Sequence, residues 1–498
     1  MGENLRRDEE NQIPDSELKI IYELEKIINK KIPKVESISW DETYEKNNEI
    51  QIYKAYQLGY EVRNSHIVGL GLSYSFKDLK SKESIHLFGK KLNNFPESIC
   101  NLKFLEKLEM GNNAIQTLPD SFGQLKSLKI LKMGRNKLRS LPDSFCELES
   151  LEQINFMNNQ LETLPKNFGD LKSLKLFNLD PNKLKSLPDS FGDLKSLETL
   201  FLSNNDLKKL PESFGNLQSL KEFECWNNRI YKLPDSFGNL VSLQYLYFQG
   251  NLLKFLPKSF TELNSLEILR LNNNKLSELP HSIGKLKSLR DLDLRKNRLY
   301  ELPESINALE NLEMLFLQKN NLKNLPSNIG NLKSLQILNL ERNNLEDIPK
   351  SFENLKNLND LNLSGNKLNS TLEQIQKLNS LEVLNLYGNS LKDISDFAKY
   401  LPELKVLDIT RNDINFLPES IGTLINLETF LISDNKLEKL PNSVGDLKSL
   451  KDFRLQNNKI TYLPESIKNL KSLESLNLRN NEILSLPESF IYLKNLKF

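Results

Sequence analysis

The sequence predicts an α/β solenoid in which short parallel strands form a concave sheet and short helical or 3-10 segments form the convex side. Three observations predict this fold. A 23-residue pattern recurs 17 times from Leu105 to about Leu496 without insertion or deletion, after one weaker copy over residues 82–104. Each copy has apolar residues at the same positions. The ninth position is Asn in all 17 copies.

The strand of each repeat comes from its apolar fourth and sixth positions, which are Leu292 and Leu294 in the repeat from Leu289. Residues two apart in a strand point to the same face, so both face the core. A proline at the fifteenth position, Pro303 in this repeat, suits the first turn of a short helix. The next residue is commonly acidic and complements the positive end of that turn. No repeat can bury its apolar side alone, so the repeats must stack.

The asparagine column is predicted to be structural. A buried amide must be satisfied, and one Asn per repeat at a fixed register can bond the backbone of its own repeat and of its neighbours. Asn as a common turn residue is the alternative, which the unbroken column disfavours. The column consists of Asn113, Asn136, Asn159, Asn182, Asn205, Asn228, Asn251, Asn274, Asn297, Asn320, Asn343, Asn366, Asn389, Asn412, Asn435, Asn458 and Asn481.

The pattern LxxLxLxxNxL, as in LEVLNLYGNSL from Leu381 to Leu391, resembles the leucine-rich-repeat family and covers most of the chain. The 23-residue length and the LPxSFGxLKSL segment are similar to intracellular Ras-group leucine-rich-repeat scaffolds, to their plant relatives, and to related bacterial and archaeal proteins. The resemblance implies a curved right-handed superhelix that binds proteins on its inner face. Small GTPases and protein phosphatases are the partners that it implies.

The N-terminal region reads as a tail followed by a helical cap. Residues 1–14 are charged and predict a disordered tail, and residues 15–81 predict a cap that leads into a first strand at His66. A helix is expected from Asp15 or Ser16 to about Lys31, and a second over about 42–58, ending at Gly59. A separate functional domain is the alternative to a cap. The apolar stripe predicted for the first helix is Ile20, Ile21, Leu24, Ile27 and Ile28.

Residues 82–498 predict the solenoid, with two irregular repeats and an open end. The repeats at 358–380 and 381–403 lack the Leu-Pro pair, which predicts a local change of curvature and more regular helix on the convex side. No polar capping unit follows the last repeat, although solenoids need polar terminal caps. Either Lys494 and Lys497 cap it, or the C-terminal edge meets a partner, with a second copy of the chain as one choice.

Composition excludes several classes of protein. The chain has 67 Lys plus Arg against 66 Asp plus Glu, which disfavours a nucleic-acid binder. No stretch of 18 apolar residues predicts a membrane span, and the charged N-terminus lacks a signal-peptide core. Cys100, Cys146 and Cys225 give no disulfide framework, because Cys100 and Cys146 lie two repeats apart and an odd thiol is left. Reduced thiols favour a cytoplasmic location.

The sequence predicts no catalysis, metal or cofactor. Its three histidines, His66, His86 and His281, are not near a cysteine at metal-ligand spacing. No phosphate-binding or nucleophile motif occurs. Asp291 and Asp293 could mimic a catalytic pair, but solvated strand residues that face Arg270 and Arg295 are the favoured interpretation.

The second, third, fifth, seventh and eighth positions should face the concave side. Over 17 repeats they hold 17 basic and 19 acidic residues, so this face has no overall basic character. Aromatic residues and Arg are enriched at protein interfaces, so their clustering predicts a binding surface. Stacking between rungs that only stabilises the sheet is the alternative, and a cross-rung Arg270–Asp293 ion pair is expected. The candidate partner-binding residues are Phe201, Trp226, Tyr245, Tyr247, Arg270, Asp293, Arg295, Met314 and Phe316.

The sequence therefore predicts a non-catalytic scaffold or adaptor that binds a partner protein on its concave face, in intracellular signalling by family analogy. A ligand-sensing receptor arm is the first alternative. The second is a recognition subunit that recruits a separate enzyme, such as a GTPase, a phosphatase or a ubiquitin ligase.

Overall fold

The computed structural model describes residues 13–28, 31–32, 34, 58–63, 66–72, 92–369, 373–394 and 399–497. The chain divides into two compact units, Met1–Leu243 and Gln244–Phe498. Each unit has the leucine-rich-repeat solenoid architecture that the sequence predicts: a three-residue strand, a turn, an extended segment and a 3-10 helix, repeated every 23 residues.

The first unit begins with the helix α1 and continues into a sheet. Its strands β1 and β2 pair antiparallel, and from β2 to β8 every strand is parallel to the next. The elements are α1 Asp15–Ile28, β1 Leu58–Arg63, β2 His66–Leu72, β3 Lys107–Glu109, β4 Ile130–Lys132, β5 Gln153–Asn155, β6 Leu176–Asn178, β7 Thr199–Phe201 and β8 Glu222–Glu224. The 3-10 helices are Glu97–Asn101, Asp120–Gln124, Asp143–Glu147, Phe168–Asp170, Asp189–Asp193, Glu212–Asn216 and Asp235–Asn239.

The described residues of the second unit form eleven strands, each parallel to the next. They are β9 Tyr245–Tyr247, β10 Ile268–Arg270, β11 Asp291–Asp293, β12 Met314–Phe316, β13 Ile337–Asn339, β14 Asp360–Asn362, β15 Val383–Asn385, β16 Val406–Asp408, β17 Thr429–Leu431, β18 Asp452–Arg454 and β19 Ser475–Asn477. The 3-10 helices are Lys258–Glu262, Ile283–Lys285, Glu304–Ala308, Ile329–Asn331, Lys350–Asn354, Glu373–Lys377, Glu419–Thr423, Asn442–Asp446, Glu465–Asn469 and Glu488–Tyr492.

The repeat length sets the strand register. Leu269, Leu292 and Leu315 are paired across β10, β11 and β12, so the fourth position of every repeat enters the core at the same level. The proline of the Leu-Pro pair is extended and precedes the 3-10 helix, as Pro303 does at φ −66° and ψ 143°. The acidic residue after it, Glu304, stands in the first turn, where its charge complements the free backbone N–H groups.

The asparagine column forms a ladder of hydrogen bonds in each unit. Asn320 accepts the N–H of Leu299 at 3.0 Å and donates to the carbonyls of Leu294 and Leu317 at 3.0 and 2.9 Å. Its side chain therefore satisfies backbone groups of its own repeat and of the preceding one. The same three bonds recur at Asn136, Asn228, Asn274, Asn343 and Asn412, among others.

Phenylalanines fill the eighteenth position in most repeats of the first unit and stack within its core. The rings of Phe191 and Phe214 lie 6.2 Å apart, and those of Phe214 and Phe237 lie 6.1 Å apart. All three cysteines are free and buried. Burial raises the pKa of Cys146 to about 12, so the thiolate that reacts or ligates is suppressed.

Helix α1 packs through Leu18, Ile20, Ile21, Leu24 and Ile28, but the predicted stripe was wrong at Ile27, which is 45% exposed. Two bonds attach the helix to β2, because Glu17 accepts the N–H of Ile67 at 2.8 Å and lies 2.9 Å from His66 Nδ1.

The N-terminal boundaries differ from the predicted ones at two points. Ile13, in the predicted tail, is buried. The predicted second helix falls mostly outside the described residues, and its predicted end was wrong because Leu58 and Gly59 belong to β1. The division into tail, cap and solenoid stays a prediction.

The irregular repeats and the last repeat were also singled out by the sequence. The repeat from Leu358 carries a five-residue 3-10 helix, Glu373–Lys377, like those of other repeats, so the more regular helix predicted there was wrong. Residues 370–372 and 395–398 lie outside the described residues.

In the last repeat Leu484 is 95% exposed and Ile491 is 78% exposed. Self-association through this edge stays a prediction.

Candidate functional site

The open face of the sheet is the face lined by the third, fifth and seventh positions of the repeats, opposite the core-facing leucines. In the first unit it carries two of the predicted residues. Phe201 on β7 is only 5% exposed, so it offers little surface to a partner. Trp226 is half-buried, and its Nε1 donates to Glu224 Oε2 at 3.3 Å. Of these two residues, Trp226 is the one that a partner can reach.

The second unit brings the other predicted residues together on β9 to β12. Tyr247, Arg270, Asp293 and Phe316 are aligned across four strands, and so are Tyr245, Ile268, Asp291 and Met314. The rings and Met314 are half-buried. We call the following eight residues the arginine–aromatic patch: Tyr245, Tyr247, Arg270, Asp291, Asp293, Arg295, Met314 and Phe316.

The two aspartates of the patch lie beneath the arginines. Asp291 is 2% exposed and Asp293 is 1% exposed, so the prediction that they are solvated was wrong. Arg295 Nε and Nη2 donate to Asp293 Oδ2 at 2.8 and 2.6 Å, and the N–H of Arg295 donates to Asp293 Oδ1 at 3.1 Å. The guanidinium group covers the carboxylate and donates the hydrogen bonds that water would donate to an exposed carboxylate.

The predicted Arg270–Asp293 ion pair was also wrong. Although Arg270 and Asp293 are paired in register, Arg270 Nη2 donates to Asp291 Oδ2 at 2.9 Å, and Asp291 lies two residues before Asp293 on β11. Asp293 is already engaged by Arg295, two residues further along the same repeat. The aspartates therefore hold the two arginines in separate pairs.

Each arginine also lies against an aromatic ring. Arg270 Cζ is 5.9 Å from the centre of the Tyr247 ring, and Arg295 Cζ is 5.6 Å from that of Phe316. The arginine side chains keep 36% and 39% of their surface exposed. Because a carboxylate and a ring fix each guanidinium group, less side-chain freedom is lost when a partner binds.

The two ion pairs are not equally satisfied. Arg270 Nε and Asp291 Oδ1 are buried and make no hydrogen bond within the described part of the chain. Burial raises the pKa of Asp291, and the nearby Arg270 charge opposes the shift without cancelling it. The Arg270–Asp291 pair is therefore held less firmly than the Arg295–Asp293 pair.

A similar stack was missed by the sequence analysis. Arg411 Cζ lies 5.6 Å from the centre of the Tyr387 ring, in the repeats that form β15 and β16. The signal was present, because Tyr387 is at the seventh position of its repeat and Arg411 is at the eighth position of the next.

Asp360, on β14, predicts a pH effect on stability. Burial raises the pKa of its carboxyl group, so the folded chain takes up this proton at a higher pH than the unfolded chain. The charged form therefore destabilises the fold at neutral pH, and acidification relieves the effect. We expect Asp360→Asn to unfold at a higher temperature than wild type at about pH 7, with a difference that shrinks towards about pH 4. Thermal unfolding over this range checks it, and a difference that grows on acidification would contradict it.

The described residues hold no group of three or more His, Cys, Asp or Glu side chains placed to share a metal ion. Among the same residues, no helix combines the length and the apolar character that crossing a bilayer requires.

Comparison with known families gives repeated matches. A model described as a leucine-rich repeat region matches residues 84–164 and 314–412. A second, described as a leucine rich repeat, matches residues 163–207, 251–299, 402–460 and 425–483. No curated protein matches the chain.

Three solved structures illustrate the likeness. YopM from Yersinia enterocolitica is 27% identical with a TM-score of 0.55, over 80% of this chain and 88% of that one. The plant peptide hormone receptor RGFR1, solved in complex with RGF2, is 25% identical with a TM-score of 0.56, over 81% and 79%. A leucine-rich-repeat protein of Leptospira interrogans is 33% identical with a TM-score of 0.61, over 82% of this chain and 93% of that one. With this identity over nearly the whole of a known member, and with family matches along both units, the chain belongs to the leucine-rich-repeat proteins, whose fold serves protein–protein interaction.

Proposed function

We propose that this chain is a non-catalytic scaffold or adaptor that binds a partner protein on its open face, with the arginine–aromatic patch as the main contact surface. The observation that carries the proposal is the paired fixing of Arg270 and Arg295, each between a buried carboxylate and an aromatic ring. Arg and aromatic side chains dominate binding energy at protein interfaces, and most strongly where they are held before binding.

The repeat fold does not require the residue types found in the patch. Other repeats place small or polar residues at the same positions, as Asn339 and Asn362 do on β13 and β14. Burying two carboxylates is unfavourable unless they are paired, and here each has its own arginine. The arrangement is energetically unfavourable to form and leaves its side chains partly exposed to solvent, which is typical of a recognition surface.

The proposal is tested by affinity capture from the native host with the full chain as bait. We expect Tyr247→Ala, Trp226→Ala and Arg295→Ala each to weaken capture of the partner about tenfold or more, because interface hot spots contribute about 2 kcal/mol or more. Thermal unfolding is measured in parallel, and Tyr247→Ala and Trp226→Ala should leave it nearly unchanged.

Tyr300→Ala is the matched control, because Tyr300 is 49% exposed but stands at the twelfth position of its repeat, outside the open face. It should leave capture unchanged. Equal capture by wild type and by all three open-face variants would refute the proposal, and loss with the Tyr300 variant alone would place the binding surface elsewhere.

A second candidate function is a ligand-sensing arm. It is favoured by the likeness to a plant peptide hormone receptor solved in complex with RGF2. Capture of a short peptide in place of a folded protein would favour this candidate.

The partner class and the location are finer parts of the proposal. A GTPase, phosphatase or ubiquitin ligase as the partner or recruited enzyme, and the likeness to Ras-group scaffolds, rest on family resemblance alone. A cytoplasmic location is supported by three free, buried thiols, and a signalling role rests on family resemblance.

A further inference from the structure

The residue before each asparagine of the asparagine column has an unusual backbone conformation. In most repeats this eighth position has a positive φ, a left-handed conformation that side chains other than Gly, Asn and Asp rarely adopt. The position is accordingly filled by such residues in many repeats: Asn112, Asn158, Asn204, Asn227, Gly250, Asn273, Gly365, Gly388, Asp434, Asn457 and Asn480.

Three consecutive repeats of the second unit break this preference. Lys296, Lys319 and Arg342 adopt φ of 54°, 60° and 53°. A left-handed backbone is less favourable at such residues than at residues that adopt it readily. We call these three residues the basic ladder. The backbone alone would favour Asn or Gly at each of them.

The charges of the basic ladder add a second unfavourable term. They follow the strands β11 to β13, whose neighbours in a sheet lie about 4.8 Å apart, so like charges are adjacent. Lys296 and Lys319 are exposed, and neither has a carboxylate within 4.0 Å in the described part of the chain. Arg342 has one, because its Nε lies 3.3 Å from Glu341 Oε1.

The ladder adjoins the arginine–aromatic patch. Lys296 directly follows Arg295, and Lys319 comes three residues after Phe316. Within the patch the positive charges of Arg270 and Arg295 are each matched by an aspartate. The unbalanced positive charge next to the patch is therefore that of Lys296 and Lys319.

We propose that the basic ladder binds an acidic segment of the partner protein, a stretch of Asp or Glu side chains that crosses the strand ends beside the patch. This proposal rests on the proposed function. Lysine ammonium and arginine guanidinium groups form charge-assisted hydrogen bonds with carboxylates, which would relieve the repulsion between the rungs. The ladder is too short for a nucleic-acid backbone, and Glu313 and Glu341 interrupt the positive charge on the same repeats.

The test uses a fluorescein-labelled peptide of ten glutamates and measures its affinity for the full chain by fluorescence anisotropy. At low salt, about 50 mM, where surface charges are weakly screened, Lys319→Asn should weaken binding about threefold and Lys296→Asn with Lys319→Asn about tenfold. Arg135→Asn is the matched control, because Arg135 has the same repeat position and a φ of 59° in another repeat. It should change the affinity less than about twofold.

Stability separates this proposal from a structural role for the lysines. Asn adopts the left-handed backbone more readily than Lys, so the double variant should unfold at the same temperature as wild type or at a higher one. A clear drop in its unfolding temperature would show that the lysines serve the fold, and would overturn the proposal.

Two other results would also overturn it. One is an equal loss of affinity in the Arg135→Asn variant. The other is binding of a ten-nucleotide oligothymidine as tightly as the peptide, which would indicate a surface for polyanions in general. The glutamate peptide has no aromatic or apolar side chain, so its affinity measures binding to the basic ladder and not to the rings of the patch. If the lysine variants lose peptide binding while all three open-face variants capture the partner normally, the basic ladder is supported and the proposed function of the patch is refuted.

Discussion

Replacing Phe214 with alanine is expected to lower the free energy of unfolding by about 3–5 kcal/mol. Phe214 is fully buried, and its ring lies 6.2 Å from that of Phe191, 6.1 Å from that of Phe237 and 5.0 Å from that of Phe223. Alanine would leave a cavity between three repeats, because the neighbouring rings are held by their own repeats and cannot close it. Urea unfolding measured by circular dichroism checks the value.

The control is Phe104→Ala, in the same unit. Phe104 is 50% exposed, and it stacks on His66 with ring centres 4.0 Å apart. Its loss should lower the free energy of unfolding by less than about 1.5 kcal/mol, because a half-exposed ring removes less apolar surface from water and leaves no enclosed cavity. Equal effects of the two variants would show that the phenylalanine column is not the core of the first unit.

Replacing Asn320 with alanine is expected to lower the free energy of unfolding by about 2–4 kcal/mol. Three hydrogen bonds are lost, but their loss is not equally harmful. The carbonyls of Leu294 and Leu317 keep a second donor each, from Asn297 and Asn343. The buried N–H of Leu299 has Asn320 Oδ1 as its acceptor, and it would be left without one.

Asn321→Ala is the neighbouring control, because the Asn321 side chain is exposed. It should change the free energy of unfolding by less than about 0.5 kcal/mol. Equal effects of Asn320→Ala and Asn321→Ala would contradict the view that the asparagine column stabilises the stacked repeats.

The repeating features could be predicted from the sequence because each has a fixed spacing. A single repeat shows little, but 17 copies at one phase show that the fourth and sixth positions share a face and that the ninth recurs in one environment. Because register follows directly from a constant repeat length, the pairing of Leu269 with Leu292 and Leu315 needed no further information.

The details of the open face could not be predicted in the same way. Its residues differ between repeats, so no column average applies to them. Whether Asp291 is solvated depends on the side-chain conformation of Arg270, in the preceding repeat, and that conformation is set in part by Tyr247. Alternation along a strand predicts which face a residue lines, but it does not predict what covers that residue.

The basic ladder shows a further limit of sequence patterns. Summed over all repeats, the five positions predicted to face the concave side are almost neutral, and this sum conceals three consecutive basic residues at the eighth position. Their left-handed backbone, the second sign that Lys296, Lys319 and Arg342 are unusual, is visible only in the structure.

Hydroxyl-radical footprinting of the full chain, with and without its captured partner, tests the binding account most directly, because it reports side-chain exposure residue by residue. Binding at the patch predicts that oxidation of Tyr247, Met314 and Phe316 falls in the complex. Oxidation of Phe255 and Tyr300, which are 55% and 49% exposed and lie outside the open face, should not change. Protection of Phe255 and Tyr300 with unchanged oxidation of the three patch residues would contradict the account.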